Sequence, residues 1–130
     1  MNDERPGNDA PRPLAGAGED RDRATLFHLA VREEWDTSAS GDTYVPGAYA
    51  TESFIHCSYR DQLAGVYERY YAGRDDLVVL ELDRGRLEQL VGAALVVDES
   101  STTTGELFPH VYAPLPRAAV RTVRALDWFS

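Results

Sequence analysis

Three histidines, the only ones in the chain, each stand inside an apolar, strand-like run. They read Leu26-Phe27-His28-Leu29-Ala30, Phe54-Ile55-His56-Cys57-Ser58 and Leu107-Phe108-Pro109-His110-Val111-Tyr112. Strand formation buries the flanking residues and takes the ring with them, and a buried ring nitrogen without a partner costs about 1–3 kcal/mol. The fold must therefore give three imidazoles either separate hydrogen-bond partners or one shared polar pocket. On a strand, residues two apart share a face. Phe54, His56 and Ser58 then point one way and Ile55 and Cys57 the other, while Phe108, His110 and Tyr112 share a face of their own.

The chain has 130 residues, 43% of them hydrophobic. That suits one domain with a real core. Residues 1–23 are rich in Pro, Gly, Asp, Glu and Arg without hydrophobic periodicity, and are expected to be a disordered tail ahead of a domain at 24–130. The formal charge is −9, with arginine supplying all 13 basic residues. Such a chain repels phosphate backbones at long range, which disfavours nucleic acid as a partner. A single cysteine, Cys57, rules out an intrachain disulfide. No apolar run approaches the ~20 residues of a membrane span, and the first 23 residues lack the apolar stretch of a secretory signal. A cytoplasmic setting is the expectation.

Residues 26–31 predict a strand and 32–39 a short helix with Glu33 and Glu34 in its first turn, where acids favour the helix dipole. Residues 42–53, with Pro46 and two glycines in or beside them, read as a loop long enough to be functional. A strand is expected at 54–57. Ser58 and Asp61 match an S-x-x-D helix start, and Leu63, Val66, Tyr67 and Tyr70 follow at helical spacing toward a stop at Gly73. Strands are expected at 77–82, 93–97 and 119–126, a helical turn at 86–90, a polar loop at 100–105 and an extended segment at 108–112. The pairs Asp75-Asp76 and Asp98-Glu99 read as exposed turn charges. The sum is a single compact α+β domain with a curved, split mixed sheet of five or six strands and two main helices.

Several residues are candidates for chemistry. His56 and Ser58 reach one pocket at the start of a helix, a favourable place for an anion, although Ser58 as a plain helix cap is an equal alternative. His110, Phe108 and Tyr112 together could stack on a flat ring and hydrogen-bond a ribose. Glu106, four residues before His110, is a candidate to stabilise a developing cation, against the blander reading of a solvated loop acid; Glu52 is a weaker one. Cys57 faces away from His56 and reads as buried and structural. The three histidines lack any short chelating spacing, so no metal is expected, although a three-histidine metal enzyme stays among the alternatives.

At these residues the sequence resembles the DUF952 family, small bacterial and plant proteins of unassigned function. The motifs are Phe27-His28-Leu29 with Glu33-Glu34-Trp35, the run Ser53 to Ser58 with Gln62, and the run Glu106 to Leu115. Ser53 and Ala113 stand where that family usually has glycine. The resemblance implies an ADP-ribosyltransferase-like fold, and with it a cleft that binds NAD or a related nucleotide and transfers ADP-ribose. On that reading His28, His56, Glu106 and His110 serve catalysis, and His28, His56, Ser58, Phe108 and Tyr112 hold the ligand. A non-catalytic small-ligand binding module with the same pocket is the other implication.

Overall fold

The computed structural model describes residues 21–129. Residues 1–20 of the expected tail lie outside them. Arg21 of the remainder is paired with Asp61 at 2.8 Å, its guanidinium over the Tyr59 ring.

The elements run β1 (Thr25–Val31), α1 (Arg32–Thr37), β2 (Thr43–Tyr44), α2 (Tyr49–Glu52), β3 (Ile55–His56), α3 (Leu63–Tyr70), β4 (Leu77–Asp83), α4 (Arg84–Val91), β5 (Val96–Ser100), β6 (Leu107–Val111), β7 (Leu115–Pro116) and β8 (Val120–Ala125). The strands form three sheets, ordered β1-β4-β8, β2-β7 and β3-β6-β5. Every pairing is antiparallel, so the expected mixed sheet is corrected to antiparallel ladders. Among the described residues the strands number eight, because β2 and β7, both two residues long, join those expected. Strands that short carry no readable alternation.

β4 is the central strand of its sheet, and both faces are covered. Leu26, Ala30, Val78, Leu80 and Leu82 enter one core cluster with Ile55, Cys57 and Val111. Phe27, Leu29 and Val79 enter a second with Leu63, Val66 and Phe108. Burial on two sides is why these strands read as continuous apolar runs. The exception on β4 is Glu81, a buried acid paired with Arg124 at 2.7 Å and Arg121 at 3.2 Å, as a buried charge requires. β8 is an edge strand, and its alternating burial gave the weak period of the sequence.

Other boundaries move for local reasons. Residues 42–53 hold β2 and α2 rather than a plain loop. Ser58 caps no helix: the turn opens at Tyr59, whose N–H donates to Gln62 Oε1 at 3.0 Å, and Ser58 exchanges two backbone hydrogen bonds with Phe27. Asp83 caps α4 through the Arg86 N–H, so that helix starts at residue 84 instead of 86. Gly92, at φ +102, ends α4, and residues 93–95 form a 3-10 turn that delays the next strand to Val96. Among the described residues no helix is long and apolar enough to cross a membrane.

Candidate functional site

The bridge between Phe27 and Ser58 seams the β1-β4-β8 sheet to the β3-β6-β5 sheet. Its consequence is to bring β1 beside β3, and β3 beside β6. His56 and His110 are direct partners in the β3–β6 ladder. The three histidines therefore gather, but into different roles.

His28 is buried, and both ring nitrogens are engaged. Nδ1 lies 2.7 Å from the His56 carbonyl oxygen and Nε2 3.0 Å from the Tyr44 hydroxyl. A carbonyl only accepts, so Nδ1 carries the proton and the tyrosine donates to Nε2. Burial lowers the pKa of this ring to about 4, and it stays neutral. Tyr44 is in turn packed edge-on against Trp35, whose indole lies beneath the Arg117 guanidinium. Arg117 also donates to the Trp35 carbonyl and to Ser38 Oγ. Trp35 of the Glu33-Glu34-Trp35 motif thus positions Tyr44, and through it His28.

His110 and His56 form a different unit. Glu99 Oε1 lies 2.7 Å from His110 Nδ1 and 2.5 Å from the Tyr112 hydroxyl, and both donate to it. Those two hydrogen bonds hold the Glu99 carboxyl below the ordinary carboxylate range. His110 Nε2 lies 3.4 Å from His56 Nδ1. Phe54 stacks on His110 with centroids 4.0 Å apart and the planes 17° from parallel, and Phe108 lies 5.0 Å from the His56 ring. The far nitrogen of this hydrogen-bonded line, His56 Nε2, is buried with no hydrogen-bond partner among the described residues. Burial first, then the neighbouring His110 and His28, lower the His56 pKa to about 4. A polar atom in that state carries the same 1–3 kcal/mol cost that the sequence foresaw.

Two adjoining lobes open around His56. The narrower, about 220 Å³, is lined by His28, Tyr44, Glu34, Glu52, Phe54 and Arg74 among others. The wider, about 560 Å³, is walled by Phe54, Phe108, Tyr70, Tyr71 and His110, with Ser100 to Thr103 at its rim. His56, Phe54, Glu52, Ala48 and Tyr71 border both.

Of the residues expected at the site, His28, His56, Phe108 and His110 border this cleft, while Ser58, Glu106 and Tyr112 border neither lobe. Ser58 is buried at the seam. Tyr112 acts on Glu99. Glu106 accepts from Gln62 Nε2 at 3.2 Å instead of meeting His110. Four residues along an extended segment span about 13 Å, so its closeness to His110 in sequence did not become closeness in space. The carboxylate on the histidines is Glu99, taken from sequence as an exposed turn charge. It lies on β5 opposite Phe108, two positions from His110 on the same face, the diagonal neighbour of an antiparallel pair. Seeing it required the β5–β6 register. Glu52 and Glu34 supply the carboxylates that border the cleft itself. Cys57 is fully buried, and burial pushes its thiol up to about 12, which leaves it unreactive. With both nitrogens engaged, His28 has no lone pair free for a metal, and among the described residues no group of three or more His, Cys, Asp or Glu is arranged to hold one.

A histidine-bordered cleft at the seam of two small antiparallel sheets is also the frame in which the family motifs fall. The family model described as a protein of unknown function, DUF952, matches residues 29–123, and the chain belongs to that family. The crystal structure of protein CC0527 from Caulobacter crescentus, a structural genomics target, is similar to this chain at 25% identity and a TM-score of 0.69, covering 79% of this chain and 86% of that one. The solution NMR structure of CC0527 is similar at 27% identity and a TM-score of 0.65, covering 80% and 85%. No curated protein matches.

Proposed function

We propose that this chain binds NAD or a related nucleotide in the two-lobed cleft, on a frame of ADP-ribosyltransferase type. The observation that carries the reading is His56, whose ring borders both lobes and whose Nε2 is buried without a partner among the described residues. A ligand hydroxyl or amide there supplies the missing hydrogen bond. The wider lobe offers Phe54, Phe108 and Tyr71 to a flat ring, in the mostly apolar style of small-molecule sites. Nicotinamide in NAD is a cationic ring, and Glu52 and Glu34 favour a cation in the cleft. Transfer of ADP-ribose is the reaction such a complex supports. Cleavage of the ribose–nicotinamide bond develops positive charge on the ribose carbon, and a carboxylate held beside that carbon lowers the barrier. Glu52 takes this role in place of Glu106, because Glu52 borders both lobes.

The test is an NMR titration of isotope-labelled protein with NAD, following imidazole and backbone signals. Saturable shifts at His56, His110 and Phe54 are expected, with Glu52→Gln retaining the shifts and losing nicotinamide release. No shifts at millimolar NAD overturn the reading.

One observation favours a second reading. Arg74, the only arginine bordering either lobe among the described residues, already holds Asp76 in a two-point pair at 2.9 and 2.6 Å. That arrangement suits a phosphate-free ligand, bound without turnover. Saturation by nicotinamide or its riboside, with NAD inactive, selects it.

A further inference from the structure

The line Glu99, His110, His56 ends at a ring that borders the cleft, and its hydrogen bonds have one consistent direction. The Glu99 carboxylate accepts from His110 Nδ1–H at 2.7 Å. In the neutral His110 ring Nε2 is then a lone pair, and it accepts from His56 Nδ1–H at 3.4 Å. That leaves the buried His56 Nε2 as a lone pair too, with no partner.

We propose that Glu99, His110 and His56 form a proton relay in which His56 Nε2 is the base for a hydroxyl or water bound in the cleft. This rests on the cleft being a ligand site, and it adds how an acceptor is activated there. The reactants are the acceptor and the bound nucleotide. The acceptor O–H bond breaks and its proton joins His56 Nε2. The His56 Nδ1 proton passes to His110 Nε2, and the acceptor oxygen keeps the electron pair with which it bonds to the ribose carbon, while the ribose–nicotinamide bond breaks and nicotinamide leaves as the neutral amide with that bond's electron pair. His56 ends neutral in the opposite tautomer. The positive charge ends on His110, against the Glu99 carboxylate.

The relay explains how a ring in so dry a place can serve as a base. Around His56 lie His28 from β1, Glu52 from α2 and Tyr70 and Tyr71 from the end of α3, with Glu34 and Arg74 further along the narrower lobe. Burial and the two neighbouring imidazoles oppose a charge held on His56 itself. Two bonds away, Glu99 stabilises that charge. Glu99 and His110 are positioning residues; His56 is the one that touches the acceptor. Tyr112 tunes the far end, since its hydroxyl donates to the same Glu99 oxygen.

Nitrogen-15 NMR of the histidine rings in the free, full-length protein tests this without any ligand. At neutral pH both His56 and His110 are expected to show a protonated Nδ1 and an unprotonated Nε2. Glu99→Gln keeps a hydrogen-bond acceptor and removes the charge, so the protonation midpoint of the His56–His110 pair falls by about 1 pH unit or more. Tyr112→Phe frees the Glu99 oxygen and moves the midpoint upward. A proton found on His56 Nε2 in the free protein, or a midpoint unchanged in Glu99→Gln, overturns the relay. These spectra need no NAD, so a failed NAD titration leaves their result standing.

Discussion

Burial keeps the His28 ring uncharged down to a pKa of about 4, while an exposed histidine of the unfolded chain takes its proton near 6.5. Between those values the unfolded chain binds a proton that the folded chain does not. Stability from this residue is therefore full above about pH 6.5 and is lost as the pH falls toward 4, a loss on the order of 3 kcal/mol. His56 is lowered in the same direction and adds to the slope. Urea midpoints measured from pH 7.5 to 4.5 should fall steeply over this window, and His28→Gln should flatten the fall. An equal slope in the variant means that the ring is not held neutral. A second residue stores strain beside the same site. Ser53 has φ 69°, the left-handed region that favours glycine. It ends α2, between Glu52 and Phe54, which both border the cleft. Ser53→Gly is expected to raise stability by about 1 kcal/mol in a urea titration, since glycine takes this conformation without a Cβ clash.

The elements that build the cleft are tied together by Gln62. Its Oε1 accepts from the Tyr59 N–H at 3.0 Å, and its Nε2 donates to the Leu107 carbonyl at 2.9 Å, so one side chain joins the turn before α3 to the start of β6. Gln62→Leu leaves both backbone groups unpaired in a site where Gln62 itself is only 4% exposed. A loss of about 2–3 kcal/mol in unfolding free energy is expected, with hydrogen exchange faster at Tyr59. Stability within a few tenths of wild type would mean that water replaces the amide. Elements of this kind mark the limit of what the sequence could show. β1, α3, β4 and β8 were readable because apolar spacing and turn residues act locally: Leu63 and Val66 face the core at helical spacing, and Leu77 to Leu82 run apolar because both faces are covered. The pairing of His56 with His110 and the diagonal approach of Glu99 are products of ladder register across distant strands. No local period encodes them. Glu106 looked better than Glu99 only because four residues is a short distance in a helix and a long one in an extended segment. Trp35 and Tyr44 were hidden for the same reason, since their role is to pack edge-on against each other across α1 and β2.

At the scale of the whole molecule, charge decides how NAD would be received. The formal charge is −9, Glu34 and Glu52 border the cleft, and Arg74, the one arginine there among the described residues, is engaged by Asp76. NAD carries net negative charge on its diphosphate, while its nicotinamide end is cationic. If the ring end enters the cleft and the diphosphate stays near the mouth, the protein's field opposes the approach of the ligand as a whole. Salt screens that opposition, because the Debye length shrinks from about 30 Å at 0.01 M to about 8 Å at 0.15 M. The dissociation constant for NAD should therefore fall severalfold as salt rises across that range. Neutral nicotinamide, which carries no diphosphate, should bind with almost no salt dependence. The opposite slope, NAD weakening as salt rises, would mean that cations hold the phosphates directly, with Arg74 released from Asp76 to do so. Arg74→Gln would then abolish that slope, whereas under the arrangement described here it leaves the slope of wild type. Isothermal titration at three salt concentrations, on the wild type and this one variant, separates the two.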